Sequence, residues 1–152
     1  MARPLRFDMA IELPATAEVV WDWLTDWERL PEWMTELSRV RVLGPGRGGV
    51  GMEAEGMVRI AGITTRDCMR ITAWEPPNRL EIAHLGWVKG GGLMLCSPRG
   101  AGTRLAWSEW FEPPLGLLGQ VGMLLLSPLI RRRFEEDLRR LQALLSRQAS
   151  PG

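Results

Sequence analysis

The sequence of 152 residues has few of the side chains that catalysis and metal binding usually need. It contains no tyrosine, one histidine (His84), one lysine (Lys89) and two cysteines (Cys68 and Cys96). The absence of tyrosine excludes catalysis by a phenol, and any Ser-His-Asp triad would have to use His84. The cysteines and the histidine lie on separate segments whose spacing matches no metal motif, so we expect no metal and no cofactor.

The chain also lacks an excess of charge of one sign. Its 19 basic and 18 acidic side chains give a formal net charge of +1. Nucleic acid is therefore not expected as a partner, because neutralising phosphates needs a strong positive excess. The first residues lack the apolar stretch of a signal peptide, and two cysteines at unrelated positions are typical of reduced thiols. These features predict a cytoplasmic protein.

Apolar residues are plentiful, at 45% of the chain. A chain of this length buries roughly 70% of the surface that it exposes when unfolded, so it can form a core without disulfides or metals. We predict a single domain over residues 1–152, with its core over about residues 5–147.

The spacing of the apolar residues changes along the chain from period two to helical spacing and back. Alternation predicts strands at residues 5–13, 39–43, 52–60, 63–74, 79–85, 93–97 and 103–111. Helical spacing predicts two short helices after the first strand, up to residue 37, and a long C-terminal helix from Ser127-Pro128 to residue 145. This order predicts an α+β fold, in which a curved antiparallel sheet of about seven strands packs against the long helix and leaves a cavity.

Three connecting stretches have unusual composition. Residues 44–51 carry five glycines but lack the lysine and the following helix of a phosphate-binding loop, so we interpret them as a hairpin tip. Glycines 90–92 are interpreted as the connection between two short strands. The six acidic residues between positions 15 and 37 predict a solvated face, with a surface for a basic partner as the alternative.

Three polar residues, Asp67, His84 and Glu109, share strand faces with apolar side chains and are candidates to face the cavity. A carboxylate on an apolar wall has a raised pKa and can act as an acid or base near neutrality, and a histidine can transfer a proton without any shift of its pKa. The alternatives are that Glu109 pairs with an arginine at the sheet rim, that His84 is exposed, and that Asp67 pairs with Arg59 or Arg104.

Large aromatic and thioether side chains on the predicted strands and helices suit a flat or flexible apolar ligand. A packed core without a void is the alternative. Together with Asp67, the predicted ligand-contacting residues are Trp33, Met52, Met69, Trp74, Trp87, Trp107, Phe111, Phe134 and Leu138.

Residues 115–126 are apolar on all sides, contain three glycines and are followed closely by Arg131, Arg132 and Arg133. Three interpretations fit this composition: a lid over the cavity mouth, a contact with a membrane surface, or a homodimer contact. The candidate segment for the last two extends over residues 115–133.

Five motifs in this order resemble one protein family: LPATAEVVW at residues 13–21, DWERLPEW at 26–33, WEPPNRL at 74–80, GTRLAW at 102–107 and FEEDLRRLQALL at 134–145. They are similar to the START/Bet v 1-like superfamily (SRPBCC), in its polyketide cyclase/dehydrase-like bacterial branch. The resemblance implies a helix-grip fold over about residues 5–147 and a cavity for a polyketide- or lipid-like molecule.

The same resemblance implies a site for the aromatase/cyclases of the family, which close a poly-β-ketone chain by aldol addition and dehydration. By strand position, Arg70, or Arg66 on the same face, corresponds to the arginine that these enzymes place before the Pro-Pro turn. Strand alternation alone puts Arg70 outside, and a β-bulge would reconcile the two expectations. The candidate catalytic residues are therefore Arg70, Glu109 and His84.

Because proton donors are scarce, the first functional hypothesis is the binding of a hydrophobic or aromatic small molecule. A polyketide aromatase/cyclase or dehydratase that acts by acid–base catalysis is the first alternative. A peripheral lipid-transfer or membrane-associated protein is the second.

Overall fold

The computed structural model of the protein describes residues 4–149. The strands are β1 Leu5–Leu13, β2 Leu37–Leu43, β3 Glu53–Ile60, β4 Ile63–Glu75, β5 Arg79–His84, β6 Lys89–Arg99 and β7 Gly102–Glu112. The helices are α1 Ala17–Leu24, a short 3-10 helix Trp27–Glu32 and the long α2 Gly116–Ala149. Within the described part of the chain, no helix has the length and apolar character that a membrane span needs.

All seven strands form one curved antiparallel sheet in the order β1-β7-β6-β5-β4-β3-β2. Consecutive strands from β2 to β7 are neighbours, and β1 pairs with β7, so α1 and the 3-10 helix carry the chain from one sheet edge to the other. The second half of α2 packs on the sheet with one apolar stripe. The buried apolar residues of that stripe are Ile130, Phe134, Leu138, Leu141 and Leu145. This architecture confirms the predicted helix-grip fold.

The long helix begins at Gly116, not near residue 128, so all of the segment 115–126 except Leu115 lies in the first half of α2. Pro128 lies inside the helix, although proline has no N–H to donate to the carbonyl four residues earlier. The hydroxyl of Ser127 donates instead to that carbonyl, which belongs to Leu124, at 2.7 Å. This replacement bond lets an apolar segment and an amphipathic one form a single helix.

Glycines 90–92 lie within β6 and are not the loop that their composition predicted. Added Cβ atoms would approach the Trp110 carbonyl to 1.9 Å at Gly90, the Trp110 ring to 2.6 Å at Gly91 and the Glu109 carboxylate to 2.5 Å at Gly92. These glycines therefore serve close packing across the sheet and not a turn. The glycines of residues 44–51, by contrast, lie in the predicted hairpin connection between β2 and β3.

Candidate functional site

A cavity of about 380 Å³ lies between the concave face of the sheet and α2. Its volume is within the range of small-molecule sites, roughly 300–1,000 Å³. Most of its wall is apolar, and the principal apolar side chains are Met69, Leu80, Ile82, Met94, Trp107, Phe111, Met123, Leu126, Ile130 and Phe134. The void excludes the alternative of a core that is packed throughout.

One side of the cavity is an aromatic cluster centred on Phe134 of α2. The Phe134 ring centroid lies 4.9 Å from that of Trp107 and 6.2 Å from that of Phe111. The His84 ring stacks beside Phe111 at 5.9 Å with an interplanar angle of 26°. Flat aromatic walls of this kind suit a planar apolar ligand.

Three polar side chains, Asp67 on β4, His84 on β5 and Glu109 on β7, meet at the cavity wall. Strand register explains their meeting: His84 pairs with Met69, two residues from Asp67, and Gly92 of β6 pairs with Glu109. Glu109 reaches His84 across the intervening strand β6. This path is open because glycine at position 92 leaves the space that the Glu109 carboxylate occupies.

Both ring nitrogens of His84 contact a carboxylate. Nδ1 lies 2.6 Å from Oδ2 of Asp67, and Nε2 contacts Oε1 of Glu109. The indole N–H of Trp107 donates to the second oxygen of Glu109 at 2.8 Å. Only 14% of the His84 side chain and 8% of the Glu109 side chain are exposed, so water screens these contacts little. We call Asp67, His84 and Glu109 the polar triad.

The polar triad sets the charge of His84. Burial by itself lowers its pKa, but the negative charge of Glu109 and the hydrogen bonds to Asp67 and Glu109 outweigh burial and raise the pKa of His84 to about 10. His84 is therefore an imidazolium at neutral pH that donates two hydrogen bonds. This differs from the expectation of an unshifted histidine that transfers protons near pH 7.

The structure also differs from each alternative considered for the three residues. His84 is largely buried and not exposed. Glu109 bonds to His84 and Trp107, and no arginine among residues 4–149 bonds to it. Asp67 bonds to His84, while Arg104 lies 3.6 Å from Glu12 on the neighbouring strand.

A second carboxyl pair, Glu36 and Asp137, was missed by sequence reasoning. Asp137 is fully buried, and its Oδ1 accepts hydrogen bonds from the backbone N–H of Thr35 at 2.9 Å and from the Thr35 hydroxyl at 2.8 Å. Glu36 lines the cavity and is 5% exposed, so it does not belong to a solvated acidic face. Asp137 could have been found, because it continues the helical spacing of Phe134 and Leu141.

Burial and the neighbouring Asp137 favour the protonated form of Glu36. Burial, followed by the hydrogen bond and the charge of Asp137, raises the pKa of Glu36 well above its ordinary value. Oε2 of Glu36 and Oδ2 of Asp137 both lack a donor from any other described group. A proton held on Glu36 satisfies both oxygens, so the cavity wall carries a neutral carboxyl at this point.

Arg70, one of the candidate catalytic residues, does not reach the cavity. It lies on the outer face of β4, half exposed, with Nη2 3.4 Å from Oε2 of Glu53. Strand alternation therefore placed it correctly, because the register shift of β4 falls later, between Ile71 and Ala73. Arg66 lies at the cavity mouth with its side chain exposed.

Four predicted ligand-contacting residues do not line the cavity: Trp33, Met52, Trp74 and Leu138. Trp33 is fully buried behind the Trp107 ring, 6.3 Å away, and Trp74 packs edge-on against Trp21 at 5.0 Å. Met52 and Leu138 are buried in the core. Alternation identifies the inner face of a strand but does not show which side chains a neighbouring element covers. The predicted residues along the cavity wall are Asp67, Met69, Trp87, Trp107, Phe111 and Phe134.

The first half of α2 lies over the cavity mouth. Gly119 and Met123 face the cavity, and the opposite side of the helix is exposed and apolar. We call this exposed side the apolar strip, which consists of Leu117, Leu118, Val121, Leu124, Leu125 and Leu129. Leu118 and Leu125 are 76% and 77% exposed, and Trp87 at the rim of the mouth is 56% exposed.

Residues 4–146 match the family described as polyketide cyclase / dehydrase and lipid transport. The chain belongs to this family. An uncharacterized protein of Mycobacterium tuberculosis (strain H37Rv) is 30% identical over 84 residues, which are 55% of this chain and 57% of that protein. The match thus spans a little over half the length of this curated relative.

Two solved structures of the same fold resemble the protein over nearly their whole length. The Zhui aromatase/cyclase of a Streptomyces species has a TM-score of 0.83 at 16% identity, with 97% of each chain covered. A START superfamily protein of Mycobacterium smegmatis has a TM-score of 0.78 at 18% identity, with 95% of this chain and 99% of that chain covered. At such identities the likeness shows the fold alone, and function has to be argued from the site.

Proposed function

We propose that this family member binds a hydrophobic or aromatic small molecule in the cavity between the sheet and α2. The observation that carries the proposal is the void of about 380 Å³ with an aromatic wall on one side and the polar triad on another. Apolar walls supply binding free energy in proportion to the apolar area that they cover, and a few polar groups orient the ligand. Membership of a family described by polyketide and lipid chemistry supports the same class of ligand.

A fluorescent apolar probe tests this proposal. N-phenyl-1-naphthylamine is expected to bind the wild-type protein with a large rise in its fluorescence. The Met94→Trp variant should bind it at least about tenfold more weakly, because the larger ring occupies cavity volume and the probe loses contacts each worth a fraction of a kcal/mol.

The matched control is Leu95→Trp, since Leu95 neighbours Met94 on β6 but is 38% exposed and does not line the cavity. Equal affinities in the wild type and in both variants would place the probe elsewhere and contradict the proposal. Thermal unfolding of both variants checks that each one is folded.

Acid–base catalysis on a polyketide has less support than binding. Arg70 faces away from the cavity, the chain has no phenol, and His84 holds its proton too firmly to act as a base near neutrality. The neutral carboxyl of Glu36 at the cavity wall is the one observation that favours catalysis, because a protonated carboxyl can donate to a carbonyl oxygen. The ranking of binding above catalysis follows from these positions.

We also propose that the apolar strip contacts an anionic membrane surface, which would bring the cavity mouth to the lipid. Six large apolar side chains are exposed on one side of a helix, a pattern that is uncommon on free surfaces of soluble proteins. Arg131 and Arg132 follow the strip and are both exposed, so they complement a negative lipid surface.

Vesicle binding measures this contact. The wild-type protein is expected to sediment with vesicles of phosphatidylcholine and phosphatidylglycerol, and the Leu118→Glu/Leu125→Glu variant should lose at least about tenfold in affinity, because charges are costly in the interface. The control, Ala143→Glu/Ala149→Glu, adds the same charge at exposed positions in the second half of α2. A dimer in solution that dissociates in the first variant, without vesicle binding, would instead assign the strip to a second copy.

A further inference from the structure

The polar triad carries a net charge that does not depend on which group holds which proton. Each of the two contacts of His84, with Asp67 and with Glu109, needs one proton between nitrogen and oxygen. An imidazolium between two carboxylates has a net charge of −1, and so has a neutral imidazole between one carboxyl and one carboxylate. The cavity wall therefore holds one uncompensated negative charge at the polar triad.

A free hydrogen-bond acceptor accompanies this charge. Both oxygens of Glu109 are occupied, one by His84 and the other by Trp107. Asp67 uses Oδ2 for His84, and its Oδ1 receives no hydrogen bond from the described residues. The Asp67 side chain lines the cavity and is 21% exposed, so a donor can approach it from the cavity. A ligand can therefore donate to Asp67.

The negative charge of the polar triad is not balanced by a buried positive charge elsewhere on the described cavity wall. Among the described wall residues, Arg66 is the one cation outside the triad, and its side chain is exposed to solvent at the mouth. The rest of the wall is mainly apolar, and in such surroundings a charge acts more strongly than it does in water. An anionic group near the triad would lose its hydration and meet a like charge.

We propose that the cavity selects apolar ligands whose polar end is a neutral or cationic hydrogen-bond donor, such as a hydroxyl or an amine, and rejects ligands that end in a carboxylate or sulfonate. This inference rests on the proposed binding function and names the ligand class of the same site. The donor bonds to Asp67, and the apolar body lies against the aromatic cluster.

Two dyes that differ by one sulfonate test the selectivity. N-phenyl-1-naphthylamine is neutral with one N–H donor, and 1-anilinonaphthalene-8-sulfonate has the same rings and an added anion. The neutral dye is expected to bind the wild-type protein at least about tenfold more tightly at pH 7, because one unit charge within several ångströms of the triad has an effect of this order.

The Asp67→Asn variant removes the uncompensated charge while keeping the size of the side chain. In this variant the affinity ratio of the two dyes should fall by about tenfold, through tighter binding of the sulfonate. The control is Glu135→Gln, which makes the same change of net charge on the exposed side of α2, away from the cavity. The ratio should stay unchanged there.

The possible results of the dye experiment separate a failure of the selectivity from a failure of the proposed binding function. If the sulfonate dye binds the wild type as tightly as the neutral dye, the inference is overturned while the binding function stands. If Glu135→Gln changes the ratio as much as Asp67→Asn, the selectivity belongs to the overall charge and not to the polar triad, which also overturns it. If neither dye binds, the proposed function fails and the inference falls with it.

Discussion

Replacing His84 by alanine is expected to lower the free energy of unfolding by about 3–5 kcal/mol at pH 7. The substitution removes the imidazolium that neutralises part of the charge of Asp67 and Glu109 and leaves these two carboxylates facing each other in a largely buried site. The loss is largest at Glu109, since only 8% of its side chain is exposed and Trp107 would be its one remaining donor in the described part of the chain. Urea denaturation monitored by tryptophan fluorescence measures the loss.

The stability of the wild type should also depend on pH in a direction that His84 determines. Its pKa is about 10 in the folded protein against an ordinary value of 6.5, so its contribution is fully present below pH 6.5 and is lost as the pH rises toward 10. We expect the free energy of unfolding of the wild type to fall between pH 7 and 10. The His84→Ala variant lacks this fall, so the two profiles should converge at high pH.

Arg70→Ala is the control for His84→Ala. Arg70 also bonds to a carboxylate of the sheet, but it is half exposed on the outer face, and removing such a surface pair costs less than about 1 kcal/mol. A loss of similar size in both variants, or parallel pH profiles of the wild type and His84→Ala, would show that the polar triad does not hold a charged histidine.

Replacing Asp137 by alanine is the second change with a large expected effect, a loss of about 3 kcal/mol. The backbone N–H and the hydroxyl of Thr35 would lose their buried acceptor, and the proton on Glu36 would lose its partner. A small void at a fully buried position adds to the loss. Thermal and urea unfolding of the variant measure the effect.

Two further variants separate this mechanism from a general loss of helix stability. Glu136→Ala changes the neighbouring, exposed residue of α2 and should alter stability by less than about 0.5 kcal/mol. Glu36→Gln keeps a donor toward Asp137 but cannot lose a proton. Because the pKa of Glu36 is raised in the folded protein, the wild type loses stability as the pH rises above the ordinary value of 4.5, and Glu36→Gln should not show that loss. An Asp137→Ala variant as stable as Glu136→Ala would contradict the role of Asp137 as a buried acceptor for Thr35 and Glu36.

The fold was predictable in most of its parts because its local signals agree with one another. Strand alternation marked β1 and β7 closely, and the stripe through Phe134 and Leu141 marked the second half of α2. The errors came where a local signal has two meanings. The composition of residues 90–92 predicted a turn, but these glycines allow close packing across the sheet. Pro128 was predicted to lie at the start of a helix, but it lies inside one.

For the candidate site, the sequence predicted only the face of the strand on which each residue lies. Alternation put Asp67, His84 and Glu109 on inner faces and Arg70 on the outer one. It could not show that Glu109 reaches His84 across β6, since that contact depends on the register of three strands and on Gly92. Glu36 was missed because its partner, Asp137, lies 101 positions later in the chain.

Composition and periodicity alone establish that this chain has no phenol for proton transfer, that its order of elements is strand, short helices, sheet and long helix, and that its inner faces carry large apolar side chains. The charge of His84, the proton on Glu36 and the depth at which each tryptophan lies follow from the folded chain. The physical reason is that a spacing pattern reports which side a residue faces, whereas burial and charge state depend on groups that distant segments bring within a few ångströms.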